Sequence, residues 1–364
     1  MDLGGIDAFK ILLREMNRLG WFRGGLKFLL QRRETSRVAR GLLKICLTSD
    51  NVFEKVIDRL AADCAGNLPP HKVYAESTNA CNAKCVMCPR DEMTRKIGIM
   101  ELEQFKEIVD QSVAMGVREL RFHNYGEVMM DPRLGEKITY AKQAGIPMTA
   151  LYTNGSLLNP TMGQAILEAG LDKMFVSIDG TDRESFERIR LRLKYDQVVG
   201  NLRSFLELRH ARGLKKPYTE IVVLPIESSN GAIEEFKKRW EGVADRVRVS
   251  VVHDFSGQGT DQYVSKKNAA AVAVKRIPCY MPWRDMYLLW NGDVTLCCLD
   301  FDGKHRFGNS AEKSLLDIWQ GEEMQQLRDQ HLTRRWDELS LCSSCHVNVY
   351  WDFDSKIECL RNWL

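Results

Sequence analysis

No apolar run in this sequence approaches the ~20 residues needed to cross a bilayer as a helix, and no internal repeat or low-complexity segment interrupts it. The opening residues, MDLGGIDAFKILLREMNRLG, lack the apolar centre of an export signal. Charge of one sign is also scarce: the net value is +3, too small to make nucleic acid the main partner. These absences leave a cytoplasmic globular protein with no transmembrane segment. Its 364 residues suffice for one large domain or two to three smaller ones. What excess charge exists is uneven, with ten Lys/Arg against five Asp/Glu in residues 1–50.

Cysteine is not scarce. There are eleven, and without an export signal they read as metal ligands more readily than as disulfides. Three lie together in STNACNAKCVMCPRDEM, residues 77–93, as Cys81, Cys85 and Cys88 in C-x3-C-x2-C spacing, with no fourth nearby. Three thiolates are one short of the four that hold a cubane iron–sulfur cluster. They are equally one short of an all-cysteine zinc site. A second group is spread over the C-terminal part as Cys279, Cys297, Cys342 and Cys345.

Residues 1–69 place apolar residues at three-to-four spacing with basic residues between, which predicts an N-terminal helical segment. Its basic face is either a solvated cap or a docking surface for a peptide or an acidic membrane. From residue 70 the rhythm changes. Six β-rich runs recur, KVYAEST, ELRFHNY, PMTALYT, KMFVSID, TEIVVLP and RVRVSVV, each followed by a helical stretch. This is βα-unit spacing and implies parallel strands with crossover helices. Six units over residues 70–261 are too few for an eight-stranded barrel, so the expected fold class is α/β, a partial (β/α)6 TIM-like barrel. In such folds reactive residues gather at the C-terminal ends of the strands. Here those ends carry NACNAKCVMC, YGE, NG, DG, ESSN and HDFSG. Residues 262–364 are expected to form a smaller β-hairpin and helix domain. RDMYLLWNGDVTLCCLD predicts a hairpin turning at Asn291-Gly292, a dipeptide suited to a type I′ turn. SLLDIWQGEEMQQLRDQHL predicts an amphipathic helix capped by Ser314 or Ser310.

The C-x3-C-x2-C loop after the first strand of a partial α/β barrel resembles the signature of the radical S-adenosylmethionine (SAM) superfamily. In that family three cysteines hold a [4Fe–4S] cluster whose fourth iron binds the amino and carboxylate groups of SAM, so the missing ligand is the cofactor itself. The resemblance implies that one-electron reduction cleaves SAM to a 5′-deoxyadenosyl radical, which abstracts hydrogen from a substrate. It also implies a reducing partner such as flavodoxin or ferredoxin. HNYGEVMMDP resembles the family's Gly-Gly-Glu-Pro motif and puts Gly126 and Glu127 at SAM's amino group, with Tyr125 in place of the first glycine and Val128 in place of the proline. LYTNGSLL places Asn154 at the cofactor edge, and FVSIDG places Ser177 near the ribose or carboxylate. FERIR offers Arg190 for the carboxylate, a role that suits bidentate pairing. Met87 stands where many relatives carry an aromatic.

The distal cysteines run C-x12-G-x4-C from Cys279 through Gly292 to Cys297, followed by the Cys342/Cys345 pair. This resembles the twitch and SPASM extensions of radical SAM enzymes, which bind auxiliary [4Fe–4S] clusters. Further ligand positions of a full SPASM domain fall on Trp351 and Ser355, so one auxiliary [4Fe–4S] cluster is expected. Zinc, or a ligand exchange involving Cys298 or Cys359, is the alternative. Cys298, next to Cys297 on a strand, is expected to point to the opposite face. With Cys46, Cys64 and Cys359 it otherwise reads as a packing thiol.

A single auxiliary cluster resembles the layout of the aminocyclitol dehydrogenase of aminoglycoside biosynthesis. It implies an oxidoreductase that acts on a small polar substrate, sugar- or cyclitol-like, and passes an electron to that cluster. His123, His253 and Asp254 stand at strand ends as candidate bases, and each also fits a structural or cofactor-side role. Two alternatives are an epimerase, with Cys298 or Cys359 as hydrogen donor, and a maturase modifying a peptide. The chain ends CLRNWL, without the glycine–arginine tail of the molybdopterin-precursor cyclase, which disfavours that activity. A zinc-stabilised binding module would leave the coincidence of YGE, NG and SIDG unexplained.

Overall fold

A computed structural model describes residues 22–32, 49–64, 68–226, 228–250, 275–345 and 353–363, with isolated positions besides. It divides into two compact units, the larger Pro69–Ser265 with Arg284–Gln325, the smaller Met1–Leu68, Lys266–Trp283 and Gln326–Leu364. Among the described residues no helix is long and apolar enough to cross a membrane.

In the larger unit six strands run parallel and in chain order: β1 Lys72–Ala75, β2 Glu119–Phe122, β3 Met148–Thr153, β4 Lys173–Ser177, β5 Tyr218–Val223 and β6 Arg246–Val249. Each falls on one of the six β-rich runs. Between them lie α1 Leu102–Ala114, α2 Leu134–Gln143, α3 Pro160–Glu168, α4 Arg183–Ile189, α5 Tyr195–Ala211 and α6 Asn230–Trp240. Their starts are chemically marked. Asn159 accepts from the Met162 N–H ahead of Pro160, Asp182 and Ser185 form a reciprocal capping box, and Ser229 accepts from the Ala232 N–H.

The two faces of the sheet differ because successive strand side chains alternate. One face carries Leu120, Phe122, Leu151, Met174, Val176, Ile221 and Val223, all fully buried, and Phe122 stacks on Phe105 of α1 at 5.5 Å. The opposite face carries Tyr74, Arg121, Tyr152, Phe175 and Arg248. There Tyr152 stacks on Phe175 at 4.3 Å, and the Arg121 guanidinium lies 5.4, 6.0 and 5.7 Å from the ring centres of Tyr74, Tyr152 and Phe175. Apolar residues thus seat the helices, and aromatic and cationic ones line the other side.

The hairpin forms on the expected stretch and joins the main sheet. β7 Asp285–Leu288 pairs parallel with β1 in the register Lys72↔Asp285 to Ala75↔Leu288, and β8 Asp293–Thr295 and β9 Arg306–Asn309 follow antiparallel. The sheet order is β9-β8-β7-β1-β2-β3-β4-β5-β6. By compactness residues 284–325 cluster with the larger unit. The physical reason is that β1 would otherwise present an unpaired edge. The turn also differs from type I′, which needs positive φ at two residues. Gly292 has φ +87° and Asn291 does not, and the Gly292 N–H closes the turn onto Leu289 O at 2.9 Å. Ser314 caps the following helix, Leu315–Gln320, by accepting from the Asp317 N–H at 3.1 Å. Gly321 then separates it from Glu322–Leu332, so two helices stand where one was expected.

The smaller unit packs helices Phe22–Arg32, Asp50–Cys64 and Phe353–Trp363 around a core that includes Leu26, Phe53, Ile57, Trp283, Leu360 and Trp363. Cys64 and Cys359 lie in that core, as packing thiols would. Cys46 lies outside the described residues. The buried Lys356 ammonium donates to Leu47 O and pairs with Asp50, each at 2.6 Å.

A buried ion pair braces the loop after β2. Lys137 of α2 and Asp131 have fully buried side chains 2.6 Å apart; Lys137 also donates to Met100 O, and Asp131 accepts from the Ser77 hydroxyl. Removing one partner of such a pair strands the other's charge. Lys137→Met is expected to cost about 3–5 kcal/mol of stability, read as a lowered urea midpoint, with part recovered in the Lys137→Met/Asp131→Leu double variant.

Candidate active site

β1 leads directly into Glu76, whose side chain is fully buried. Its carboxylate accepts a bidentate pair from Arg95 at 2.8 and 2.9 Å, the Trp290 N–H at 3.1 Å and the Tyr125 N–H at 3.3 Å. A buried carboxylate needs such donors to offset its desolvation. Here they come from the segment after the cysteine loop, from the β7–β8 hairpin and from the YGE turn. Arg95 also donates to Phe301 O at 2.8 Å, and Asp302 accepts the N–H groups of Thr94 and Arg95 at 2.7 and 3.2 Å. The Trp290 ring covers Gly98, where an added Cβ would sit 2.5 Å from it.

The cysteine loop is pinned at its centre. Lys84–Cys85 pairs antiparallel with Arg190–Leu191, Val86 donates to Ile189 O at 3.0 Å, and the Cys88 N–H closes onto Cys85 O at 3.0 Å. The Arg190 guanidinium lies 3.8 Å from Cys85 Sγ and bonds Asp179 Oδ2 at 2.7 Å, while Asp179 Oδ1 accepts from Leu224 N at 2.9 Å. Arg190, expected at a SAM carboxylate, is thus already engaged by Asp179 beside a cysteine sulfur. Burial pushes the Cys85 thiol up to about 12, partly opposed by Arg190, and burial raises Cys88 as well; Cys81 acts electrostatically on both. Three half-buried thiols on one loop fit a metal cluster, because coordination removes their protons outright. Among the described residues no three His, Cys, Asp or Glu side chains converge as one metal ion requires. A cubane asks less of them, since each thiolate holds a different iron.

The YGE turn packs against the root of this loop. Gly126 has φ +93°, and an added Cβ would lie 2.4 Å from Thr78 O, so neither conformation nor space admits a side chain. The Glu127 N–H donates to Ala80 O at 2.7 Å. The Glu127 carboxylate is buried, which raises its pKa, and accepts from Asn154 N and Thr153 Oγ1, each at 2.6 Å, and from Met129 N at 3.2 Å. Asn154 in turn donates to Asn82 Oδ1 at 2.9 Å within the cysteine loop, and Asn82 donates to Ser156 Oγ at 2.8 Å. Gly126, Glu127 and Asn154 are therefore brought together with the cysteine loop. Ser177 ends β4, half-buried, two residues before Asp179.

His123 follows β2 and stacks on Tyr152 at 4.3 Å. His253 and Asp254 lie outside the described residues. Cys297 is buried, but Cys297 and Cys298 stand beyond the end of β8, in a turn where Asp300 N donates to Cys297 O at 3.1 Å. Strand alternation therefore does not govern them. The Cys298 carbonyl accepts from the Tyr125 hydroxyl at 2.6 Å.

In the smaller unit the Cys345 N–H donates to Cys342 O at 3.2 Å, so this pair shares one turn. His331 stands between Cys279 and Cys342, its Nδ1 3.3 Å from the Cys279 N–H nitrogen and its Nε2 3.7 Å from Cys342 Sγ. Glu76, Asn82, Arg95, Asp179 and His331 were not legible as site residues. Asp179, inside SIDG, and Asn82, inside the cysteine loop, stood in stretches that could have pointed to them.

A model of the radical SAM superfamily matches residues 75–237, and one of the SPASM iron–sulfur cluster-binding domain matches residues 279–346. The chain belongs to the radical SAM superfamily. Its cofactors are accordingly SAM and [4Fe–4S], with an auxiliary iron–sulfur centre in the SPASM part. The GTP 3′,8-cyclase of Chlorobaculum tepidum is 34% identical over 122 residues, 33% of this chain and 36% of that protein. The PqqA peptide cyclase of Granulibacter bethesdensis is 31% identical over 33% of this chain and 32% of its own. Both matches span about a third of those relatives. A tungsten-containing aldehyde ferredoxin oxidoreductase cofactor-modifying protein of Pyrococcus furiosus aligns over 80% of this chain and 92% of its own at 22% identity. Among solved structures, BtrN in complex with AdoMet and 2-DOIA superposes with TM-score 0.53 at 18% identity, covering 76% of this chain and 93% of that one. SuiB of Streptococcus suis bound to precursor peptide SuiA gives 0.59 at 14% identity, covering 84% and 80%. These likenesses establish a shared fold.

The radical SAM barrel makes one acid-range prediction. Burial, with Arg121 adding to it, lowers the His123 pKa from 6.5 to about 3. The unfolded chain binds this proton below its ordinary value and the folded chain only near 3, so stability falls as pH drops through that window. His123→Phe, which keeps the stack on Tyr152, is expected to flatten the decline in urea midpoint over that range.

Proposed function

We propose that this radical SAM enzyme oxidises a small polar substrate, sugar- or cyclitol-like, with one auxiliary [4Fe–4S] cluster as electron acceptor. The observation that carries the reading is the ligand inventory. Cys81, Cys85 and Cys88 serve the SAM-binding cluster and Cys279, Cys297, Cys342 and Cys345 the auxiliary one, while Trp351 and Ser355 leave no ligands for another. Cys81, Cys85 and Cys88 would hold the cluster that, when bound, would supply the electron for reductive cleavage of SAM and so the means of taking hydrogen from the substrate. Cys279, Cys297, Cys342 and Cys345 would hold the acceptor for the second electron of a two-electron oxidation, with a base taking the hydroxyl proton. BtrN, whose structure contains 2-DOIA, supports a small polar substrate.

The chain's own residues bind and orient. Glu127 accepts three bonds from the protein and keeps lone-pair capacity for SAM's ammonium. Gly126 brings backbone close to the cysteine loop. Asn154 and Ser177 stand at successive strand ends to meet the rest of the cofactor. Arg190, held on Asp179, offsets thiolate charge at Cys85 and leaves its remaining donors for a carboxylate. Flavodoxin or ferredoxin is the natural reductant for such a site. The epimerase reading loses one hydrogen donor, since Cys359 is committed to the core of the smaller unit. A peptide substrate is the second reading, favoured by the likeness to the PqqA peptide cyclase and to SuiB with its precursor peptide.

The test is iron and sulfide content after anaerobic reconstitution. Wild type is expected to hold about eight irons and the Cys81/Cys85/Cys88→Ala variant about four, as two cubanes require, with SAM cleavage abolished in the variant. Cys279→Ala should stop turnover yet retain some uncoupled SAM cleavage. About four irons in wild type and none in the triple variant would remove the electron acceptor and with it the oxidative reading.

A further inference from the structure

We infer that His331 donates an N–H bond to the Cys342 sulfur of the auxiliary cluster and thereby raises that cluster's reduction potential. The inference rests on the auxiliary-cluster reading above and concerns how that centre is tuned to accept an electron. It makes His331 a positioning and tuning residue, not a ligand.

The imidazole is fixed before any metal is considered. It is 4% exposed and packed between the indoles of Trp283 and Trp336, at 6.4 and 6.3 Å between ring centres. The Cys279 backbone N–H points at Nδ1 from 3.3 Å. A ring nitrogen that accepts a bond carries no proton, so the proton of the neutral ring sits on Nε2. Nε2 faces Cys342 Sγ at 3.7 Å, within reach of an N–H···S bond. One ring therefore joins the backbone of one auxiliary cysteine to the sulfur of another. The receiving turn is itself braced, since Arg276 donates to the carbonyls of Cys342 and Ser343.

The consequence follows from charge. A reduced cluster places more negative charge on its thiolates than an oxidised one. A donor aimed at a thiolate binds more tightly in the reduced state, so the reduced state is favoured and the potential rises. Such tuning suits a centre that takes an electron from a substrate radical, and no SAM contact is involved.

The test uses the full-length chain carrying Cys81/Cys85/Cys88→Ala, reconstituted anaerobically, so that only the auxiliary cluster contributes. Redox titration followed by electron paramagnetic resonance would compare His331, His331→Leu and His331→Gln. The expected result is about four irons in all three, a lower midpoint in His331→Leu, and partial recovery in His331→Gln, whose amide keeps a donor. An unchanged midpoint in His331→Leu at full iron content would overturn the inference and leave the auxiliary cluster standing. Iron lost from both variants, with circular dichroism unchanged, would overturn it too by making His331 a ligand. No iron in the chain that retains His331 would overturn the cluster reading and this inference together.

Discussion

One buried carboxylate organises the active end of the larger unit. Glu76 sits where β1 stops and the cysteine loop starts, and its two oxygens collect Arg95, Trp290 and Tyr125. Each donor belongs to a different segment, so satisfying a single charge positions the start of the loop, its return, the YGE turn and the hairpin at once. The arrangement depends on β7 lying beside β1, because Trp290 reaches Glu76 only from that hairpin. A strand added alongside β1 thus does chemical as well as architectural duty.

Around this anchor the site is preorganised by backbone as much as by side chains. Gly126 lets the YGE turn approach residues 78–80 closely, and Glu127 then reaches Thr153 and Asn154. Asn154 passes the connection on to Asn82 in the cysteine loop. The ends of β2 and β3 and the loop after β1 are therefore one hydrogen-bonded assembly. Its Cys85 and Cys88 thiols are desolvated, and Cys85 stands beside an arginine whose charge is offset by Asp179. Such an environment disfavours free thiolates and favours coordinated ones, in keeping with a cluster site.

The smaller unit is assembled from distant parts of the chain. Helices Phe22–Arg32 and Asp50–Cys64 share a core with Phe353–Trp363, and the Lys356 ammonium closes on Asp50 and Leu47 O. An acidic residue at the start of the second helix thus meets a cation from the last one. Trp283, His331 and Trp336 show the same economy on a smaller scale, with aromatic packing fixing a ring whose two nitrogens face two cysteine residues.

Much of this was determined by sequence alone. Strand positions followed from β-rich runs with turn signals at their ends, and local hydrogen bonding explains why Asn159, Asp182, Ser229 and Ser314 begin helices. The cysteine spacing and the YGE, NG and SIDG stretches were legible because metal and cofactor chemistry constrains residue type at short range. What only tertiary structure decided is everything that joins segments far apart in the chain. The pairing of β7 with β1, the partners of Glu76, the capture of Arg190 by Asp179 and the seat of His331 leave no periodic or spaced trace. The physical reason is that burial of a charge or a ring demands a partner without specifying from which part of the chain it comes.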